Sequence, residues 1–292
     1  QAQIKLAAAD MGKFELVLEP FDWDPKGQRA LTPTVRPALT WKLRAPRPDD
    51  INEPGWEYVE SDDVRRGTAS WKDGALIETV EARSGPAFLE IDRGPACARS
   101  VLFVQHLPGY RVRQTTTQLL IAVPTCDATT VSTVEIPAGP FWRNVDRLGA
   151  ANQDELVTDL PSFLIDIHEV TRGSFAEFLT MSAITGISAA PLSYLDQLVD
   201  PRPTLPAVGV TYWTARSYCA YMGKALPTQD QWQKAFRGGV GPSNPQPKRP
   251  TPWLSASLNR PTNVSYPDEL AQLRPVGTFP DDRSPRGVED LA

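Results

Sequence analysis

The sequence predicts an α+β protein with two domains, a β-sandwich over residues 1–130 and a loop-rich domain with few helices over residues 131–292. Three observations support this prediction: short strand-like segments before residue 130, capped helical segments after it, and a high proline content. The chain has 29 prolines in 292 residues, whereas proline averages about 5% of residues. Proline is excluded from helix interiors and central strands, so short elements and many loops are expected.

The N-terminal half contains short segments that are β-branched or alternate between apolar and polar residues. Turn signals such as Asp73-Gly74 and Arg93-Gly94-Pro95 lie between them. Regular short strands of this kind are typical of sandwiches of the immunoglobulin or carboxypeptidase-regulatory kind. The segments are 14–19, 75–80, 87–91, 100–104 and 115–123, and a further short strand is expected at 134–136.

Three helices are predicted in the second half, because Thr171, Thr211 and Thr228 each precede an apolar pattern of helical spacing. Gly223 is placed to end the second helix, and Gln231 to complete a capping box in the third. The side chains expected to be buried are Phe175, Phe178 and Leu179 in the first helix, Ala215, Tyr218, Cys219 and Met222 in the second, and Trp232, Ala235 and Phe236 in the third.

Composition and charge argue against two classes of protein, nucleic-acid-binding and membrane-spanning. Apolar residues make up 41% and charged residues 22% of the chain, which is typical of a globular protein. The net charge of −5 argues against a nucleic-acid partner, since phosphate binding needs a basic surface. No apolar run approaches the roughly 20 residues of a membrane span, so a soluble chain with no transmembrane segment is expected.

The three cysteines, Cys97, Cys126 and Cys219, form no C-x-x-C motif, which argues against a zinc or thioredoxin-like site. Cys97 and Cys126 both fall in the strand-rich region. The sequence leaves open whether they form a disulfide or are two small buried apolar residues.

Several strings after residue 130 together resemble the formylglycine-generating-enzyme/sulfatase-modifying-factor family. Their order along about 160 residues matches that family, which makes the resemblance specific. The resemblance implies a C-type-lectin-like fold with little regular secondary structure, in agreement with the proline content. The strings are 134–141 (VEIPAGPF), 163–171 (FLIDIHEVT), 206–212 (PAVGVTY) with 215–221 (ARSYCAY), 223–239 (GKALPTQDQWQKAFRGG), 252–253 (PW), 275–279 (PVGTF) and 287–292 (GVEDLA).

The resemblance also implies what catalysis would need. Catalytic members have, beyond the last of these strings, a cysteine pair that binds copper and oxidises a substrate cysteine to formylglycine. The sequence stops at Ala292 and Cys219 matches a structural position, so no catalytic residue is expected and copper is not expected in these residues. Glutamines 229, 231 and 233 also replace the glutamates of the family's TEAEWE string.

These departures favour a non-catalytic binding or scaffold module. The resemblance implies an extracytoplasmic module of bacterial type, located in the periplasm, at the cell surface or in a secreted form. Its expected partner is a protein or a glycan. The alternative is the N-terminal portion of a formylglycine-generating oxidase whose cysteine pair lies on a missing C-terminal segment or a second chain. Self-association into an extracellular array is a third hypothesis.

A calcium site is the cofactor that the resemblance implies. Aligned through the PVGTF string, the family's calcium ligands fall on Asn263, Val264, Asp268 and Leu270, as two side chains and two backbone carbonyls. Such oxygen ligands suit a hard cation. The alternative is that Asn263 and Asp268 are ordinary turn residues.

Two other groups of residues have both a functional and a structural interpretation. His168 beside Glu169 has the composition of an acid–base pair, but adjacent strand residues point to opposite faces, so a structural histidine is expected. The second group is aromatic and fits either a sugar or peptide groove or, for its first four members, the core: Trp213, Tyr218, Tyr221, Trp232 and Trp253.

Overall fold

The computed structural model describes residues 11–23, 29–30, 39–44, 64–72, 75–83, 87–104, 117–143, 155–184, 202–242, 273–279 and 283–290. The chain divides into two compact units, each assembled from separate stretches. Unit 1 comprises Gln1–Thr129, Ala176–Val199 and Val210–Ala225. Unit 2 comprises Thr130–Phe175, Asp200–Gly209 and Leu226–Ala292. The predicted domain boundary near residue 130 stays a prediction.

The described residues form twelve strands and four helices. The strands are β1 (Met11–Trp23), β2 (Arg29–Ala30), β3 (Leu39–Arg44), β4 (Val64–Lys72), β5 (Ala75–Arg83), β6 (Ala87–Asp92), β7 (Ser100–Val104), β8 (Thr117–Pro124), β9 (Thr133–Ile136), β10 (Phe141–Arg143), β11 (Glu155–Val157) and β12 (Phe163–Asp166). The helices are α1 (Cys126–Thr130), α2 (Arg172–Ile184), α3 (Tyr212–Tyr221) and α4 (Gln229–Arg237). None of these helices is long and apolar enough to cross a membrane.

Unit 1 contains one eight-stranded sheet with the order β2-β1-β5-β4-β3-β6-β7, and β8 pairs with β1 in parallel. Strand β4 joins the two halves, because its residues 64–69 pair with β3 and its residues 70–72 pair with β5. Side chains from β1, β5 and β8 line one small interior space together with side chains from β3 and β6. The α+β class is therefore confirmed, whereas a sandwich of two separate sheets is not.

The interior of this sheet follows the period of two that strand geometry imposes. In β3, Leu39, Trp41 and Leu43 are buried while the residues between them are more exposed. The same alternation recurs in β6 and β7, where Leu89 and Leu102 are nearly inaccessible. Alternation of this kind fixes the register, since a slip of one residue would expose the apolar set.

A buried cation joins three segments of unit 1. Arg93, only 6% exposed, follows β6, and burial lowers its pKa to about 10, so it remains charged at neutral pH. Its guanidinium donates to carbonyl oxygens and one hydroxyl in the loop after β6, at the start of α1 and at the end of α3. The acceptors are Pro124 O (2.8 Å), Thr125 O (3.2 Å), Thr129 Oγ1 (2.6 Å), Met222 O (3.5 Å) and Ala98 O.

A disulfide between Cys97 and Cys126 connects two of the same segments, so the bridged alternative is confirmed. The two cysteines are separated by 29 residues. Closing a loop of that length restricts the unfolded chain and stabilises the fold by about 3–4 kcal/mol in the chain-entropy account.

The predicted helix caps are confirmed. The backbone N–H of Ser174 donates to Thr171 Oγ1 at the start of α2, and Thr211 caps α3 in the same way. Thr228 and Gln231 form the complete capping box of α4. Helix α3 is followed by Gly223 with φ 69°, a left-handed conformation that suits glycine.

Aromatic packing holds α3 in unit 1. Phe178 of α2 contacts Tyr218 edge-to-face, with ring centres 5.7 Å apart. The Tyr221 hydroxyl donates to the Ala122 carbonyl oxygen of β8 over 2.8 Å. Tyr218 and Tyr221 are therefore core residues, as expected.

Unit 2 contains two small two-stranded sheets, β9–β12 and β10–β11. Its core cluster is built around Ile136 of β9, Ala235 of α4 and Val288. Partly buried apolar side chains from β9 and β12 pack against this cluster. Apolar contacts are therefore concentrated where one strand pair meets one helix.

The expected buried face of α4 is partly wrong. Ala235 and Phe236 are buried, but Trp232 is 40% exposed and stacks on Phe236. Lys234 is buried instead, because the carbonyl oxygens of Pro137 (2.5 Å) and Gly139 (2.9 Å) accept from its ammonium group. Burial lowers the pKa of Lys234. Sequence periodicity cannot show that a lysine has carbonyl acceptors in a distant turn.

We predict that Gly223→Ala destabilises the protein by about 2 kcal/mol or more. A Cβ atom there would lie 1.9 Å from Arg93 Nη2, and the backbone has a positive φ. Chemical denaturation followed by circular dichroism measures the loss.

The control is Gly239→Ala, where Pro140 O, at 3.4 Å, would be the described atom nearest to the new Cβ. Equal stability losses in the two variants would contradict the packing at Gly223.

Candidate functional site

The predicted calcium ligands Asn263, Val264, Asp268 and Leu270 lie outside the described residues, so their prediction stays untested. Within the described ranges, no group of three or more His, Cys, Asp or Glu side chains is arranged to hold a metal ion. Trp253 also lies outside the described residues.

The cysteines of residues 1–292 are three in number. Cys97 and Cys126 form the disulfide of unit 1, and Cys219 is the cysteine outside that bridge, on α3. Two of the three sulfur atoms are therefore bonded to each other.

A group of ionisable side chains in the described part of unit 2 surrounds His168. Its Nδ1 atom lies 3.6 Å from Glu289 Oε2 and 3.6 Å from Asp290 Oδ2. The imidazole is one-third exposed, whereas the carboxylate side chains are only 5% and 1% exposed. Two buried carboxylates therefore face one accessible imidazole.

Neighbouring segments hold the two carboxylates in place. Glu289 pairs with the Arg283 guanidinium, and its backbone N–H donates to Ile167 O over 2.8 Å. The Gly277 N–H donates to Asp290 Oδ2 over 2.7 Å. Within the described part of the chain, Asp290 Oδ1 and His168 Nδ1 are buried without a hydrogen-bond partner.

The backbone is adapted to this cluster at two positions. Asp290 has φ 55°, a left-handed conformation that aspartate adopts more readily than most residues. Gly277 has φ 72°, and a Cβ atom there would lie 2.9 Å from His168 Cε1. Glycine is therefore required for the close approach of Gly277 to the imidazole.

The charged side chains around His168 connect three loops of unit 2. One basic side chain, Arg283, and two acidic side chains, Glu289 and Asp290, lie together beside His168. The contacts join the loop after β12, the turn at Gly277 and the segment 283–290. The arrangement acts as a polar link between three loops, which agrees with the structural histidine expected from the sequence.

The reason given for that expectation was wrong, however. Strand β12 ends at Asp166, so His168 and Glu169 lie in a loop and the rule of opposite strand faces does not apply to them. The carboxylates beside His168 are Glu289 and Asp290, which sequence reasoning missed. Their only signal was a pair of adjacent acids within the GVEDLA string.

Comparison with known proteins agrees with the family that the motifs resemble. Residues 121–292 match the family model described as sulfatase-modifying factor enzyme 1-like domain. The match covers more than half of the chain, and the protein belongs to this family.

Three individual relatives show how much of the chain is similar to known proteins. The chain is 36% identical over 205 residues to the mouse protein named inactive C-alpha-formylglycine-generating enzyme 2, covering 54% of this chain and 65% of the relative. It is 26% identical over 212 residues to the bovine protein of the same name, covering 56% and 68%. It is also 32% identical over 121 residues to serine/threonine-protein kinase Pkn1 of Chlamydia trachomatis serovar L2, covering 36% and 19%. The chain thus spans about two-thirds of the first two relatives and about a fifth of the kinase.

We predict that Asp290→Ala destabilises the protein by about 3 kcal/mol, because it leaves the Gly277 N–H unpaired and places alanine in a left-handed conformation. Asp290→Asn keeps an acceptor oxygen and tolerates this backbone, so its cost should stay below about 1 kcal/mol. Denaturant unfolding measures both.

Asp159→Ala, which removes an exposed acid of unit 2, should have no measurable effect. If Asp290→Asn costs as much as Asp290→Ala, the carboxylate charge rather than the backbone and the hydrogen bond is what the cluster requires.

Proposed function

We propose that residues 1–292 form a non-catalytic binding or scaffold module that is built on a sulfatase-modifying-factor domain and works outside the cytoplasm. The arrangement of the cysteines carries this proposal. Cys97 and Cys126 are joined in a disulfide, and Cys219 is the remaining sulfhydryl residue of the sequence.

Oxidation of a substrate cysteine at a copper–thiolate centre needs two soft ligands close together. A disulfide supplies no thiolate, so residues 1–292 supply a single thiol to any such centre. Similarity to mammalian proteins that are named inactive formylglycine-generating enzymes supports the same conclusion.

The disulfide also supports the proposed location. Disulfides persist in oxidising compartments such as the periplasm, the cell surface and secreted fluids, and they are uncommon in the reducing cytosol. The Cys97–Cys126 bridge lies in a sheet unit that has an extensive apolar core, so it is an addition to the fold rather than a substitute for a core.

We also propose the finer fold assignments that the sequence suggested. The two facing halves of the unit 1 sheet support a sandwich of the immunoglobulin or carboxypeptidase-regulatory kind. The short strand pairs and the loops of unit 2 support a C-type-lectin-like arrangement.

The alternative function is that of the N-terminal portion of a formylglycine-generating oxidase, with the cysteine pair supplied by another segment or a second chain. Membership of the family favours this alternative. Both proposals expect residues 1–292 to be inactive on their own, but the alternative expects activity once the missing cysteine pair is supplied. An activity assay therefore distinguishes the two proposals.

We predict that residues 1–292, loaded with copper and mixed with a cysteine-containing sulfatase peptide under oxygen, form no aldehyde and consume no peptide thiol. Mass spectrometry of the peptide measures both changes. A catalytically complete family member is the positive control, and Cys219→Ser should behave like the unsubstituted chain. Aldehyde formation by residues 1–292 alone would overturn the proposal.

Calcium is the cofactor we propose, bound by the side chains of Asn263 and Asp268 and the carbonyl oxygens of Val264 and Leu270. These are hard oxygen ligands of the type that calcium prefers. The support is the alignment of the PVGTF string with the family pattern.

We predict that calcium at about 100 times its dissociation constant stabilises the protein by about 2.7 kcal/mol, which corresponds to a Tm increase of several degrees. Asp268→Asn should abolish the increase, because it removes the charged ligand. Asp159→Asn, which changes an exposed acid that is not among the proposed ligands, should retain it. A Tm that does not respond to calcium or to chelator would exclude the site.

The proposed partner is a protein or a glycan, and self-association into an array is a second form of the scaffold proposal. Sedimentation at several protein concentrations tests self-association, since a monomer at every concentration would exclude it.

A further inference from the structure

Two adjacent aromatic side chains form a corner at the start of α3. Tyr212 is 62% exposed and Trp213 is half-buried. Their ring centres are 5.0 Å apart and their planes meet at 81°. Two ring faces at nearly a right angle can contact a small flat ligand from two sides.

A cation belongs to the same corner. Arg216 lies one helical turn beyond Tyr212 and Trp213, a spacing that places all three on one side of the helix. Its guanidinium carbon is 5.9 Å from the centre of the Trp213 ring. Within the described part of the chain, these three side chains have no hydrogen-bond or ion-pair partner. The tyrosine O–H, the indole N–H and the guanidinium N–H groups therefore keep their donor capacity, on one exposed and two half-buried side chains.

The cap and the packing of α3 depend on other side chains. Thr211 caps α3 from the preceding position, while Tyr218 and Tyr221 supply its packing. Trp213 lies between the two family-like strings 206–212 and 215–221, whereas Tyr212 and Arg216 lie within them. A single exposed tyrosine would be ordinary, but an aromatic pair with an adjacent unpaired arginine is a more specific arrangement.

The size of the corner favours a small ligand. Among the described residues of unit 1, Tyr212 is the exposed large apolar side chain; the others belong to unit 2. Two aromatic side chains bury at most about 150–250 Å² each, whereas a stable protein interface covers about 800 Å² on each partner. The corner therefore matches one or two rings rather than a folded protein surface.

The chemistry of the corner favours a sugar with an anionic group. A sugar ring presents an apolar C–H face to an aromatic ring and hydroxyl oxygens that accept from the tyrosine and indole donors. A guanidinium pairs with a carboxylate through two parallel hydrogen bonds and binds sulfate in a similar way. Arg216 would then have the anionic partner that the described chain does not supply.

We propose that Tyr212, Trp213 and Arg216 bind a sugar residue that carries an anionic group, with its ring against the two aromatic side chains and its anion on the Arg216 guanidinium. This inference rests on the proposed function as a binding module and names the class of its ligand.

Calorimetric titration of residues 1–292 tests the proposal with four probes: a galacturonate trimer, a sulfated galactose trimer, a neutral galactose trimer and a glutamate trimer peptide. At least one anionic sugar should bind at least about tenfold more tightly than the neutral one. Tyr212→Ala should weaken that binding about tenfold. Arg216→Gln should remove the preference for the anionic sugar, while Arg216→Lys should retain part of it. The control is Trp232→Leu, an exposed tryptophan of unit 2, which should bind as the unsubstituted chain does.

Circular dichroism first establishes that each variant is folded. Absence of saturation by every sugar at millimolar concentrations would overturn the proposal. So would binding that survives Tyr212→Ala, or a glutamate peptide that binds as tightly as the anionic sugars. The assay with copper and the sulfatase peptide does not depend on these titrations. A wrong ligand class would therefore show in the titrations alone, whereas a wrong proposed function would show as aldehyde formation.

Discussion

The buried guanidinium of Arg93 is the contact on which much of unit 1 depends. A desolvated cation is costly by several kcal/mol unless its donors are satisfied. Its acceptors come from the loop after β6, the start of α1 and the end of α3. The Cys97–Cys126 disulfide joins the first two of these segments. The position of α3 therefore depends on a charge–carbonyl contact at Met222 as well as on the packing of its aromatic side chains.

Unit 2 also contains buried charged side chains that are hydrogen-bonded to backbone groups, close to its described apolar cluster. Lys234 is buried against carbonyl oxygens of the turn after β9, and Asp290 is buried against the N–H of Gly277. Both contacts fasten loops to the cluster around Ala235. Buried charges with several acceptors or donors are directional, so they can fix irregular segments that hydrophobic packing alone would leave free to shift.

The sequence predicts what depends on neighbouring residues and misses what depends on distant ones. The capping box of Thr228 and Gln231 spans three residues, and the helix beginning there was predicted correctly. The contact from Arg93 to Met222 spans 129 residues, and nothing in the sequence near Arg93 indicates it. Strand β4 was also missed, because it contains two arginines and a glycine that weaken its strand pattern.

For the same reason, the sequence motifs identify the family more readily than the function. The strings that identify the sulfatase-modifying-factor family mostly specify caps, turns and buried contacts, as Thr228 and Lys234 show. They establish the framework but not the chemistry that the framework supports. In these residues, chemistry depends on where the cysteine sulfur atoms and the polar donors lie: two cysteine sulfur atoms are in a disulfide, and the Tyr212 side chain is exposed beside Trp213 and Arg216. That distribution of reactive and donor groups suits recognition better than oxidation.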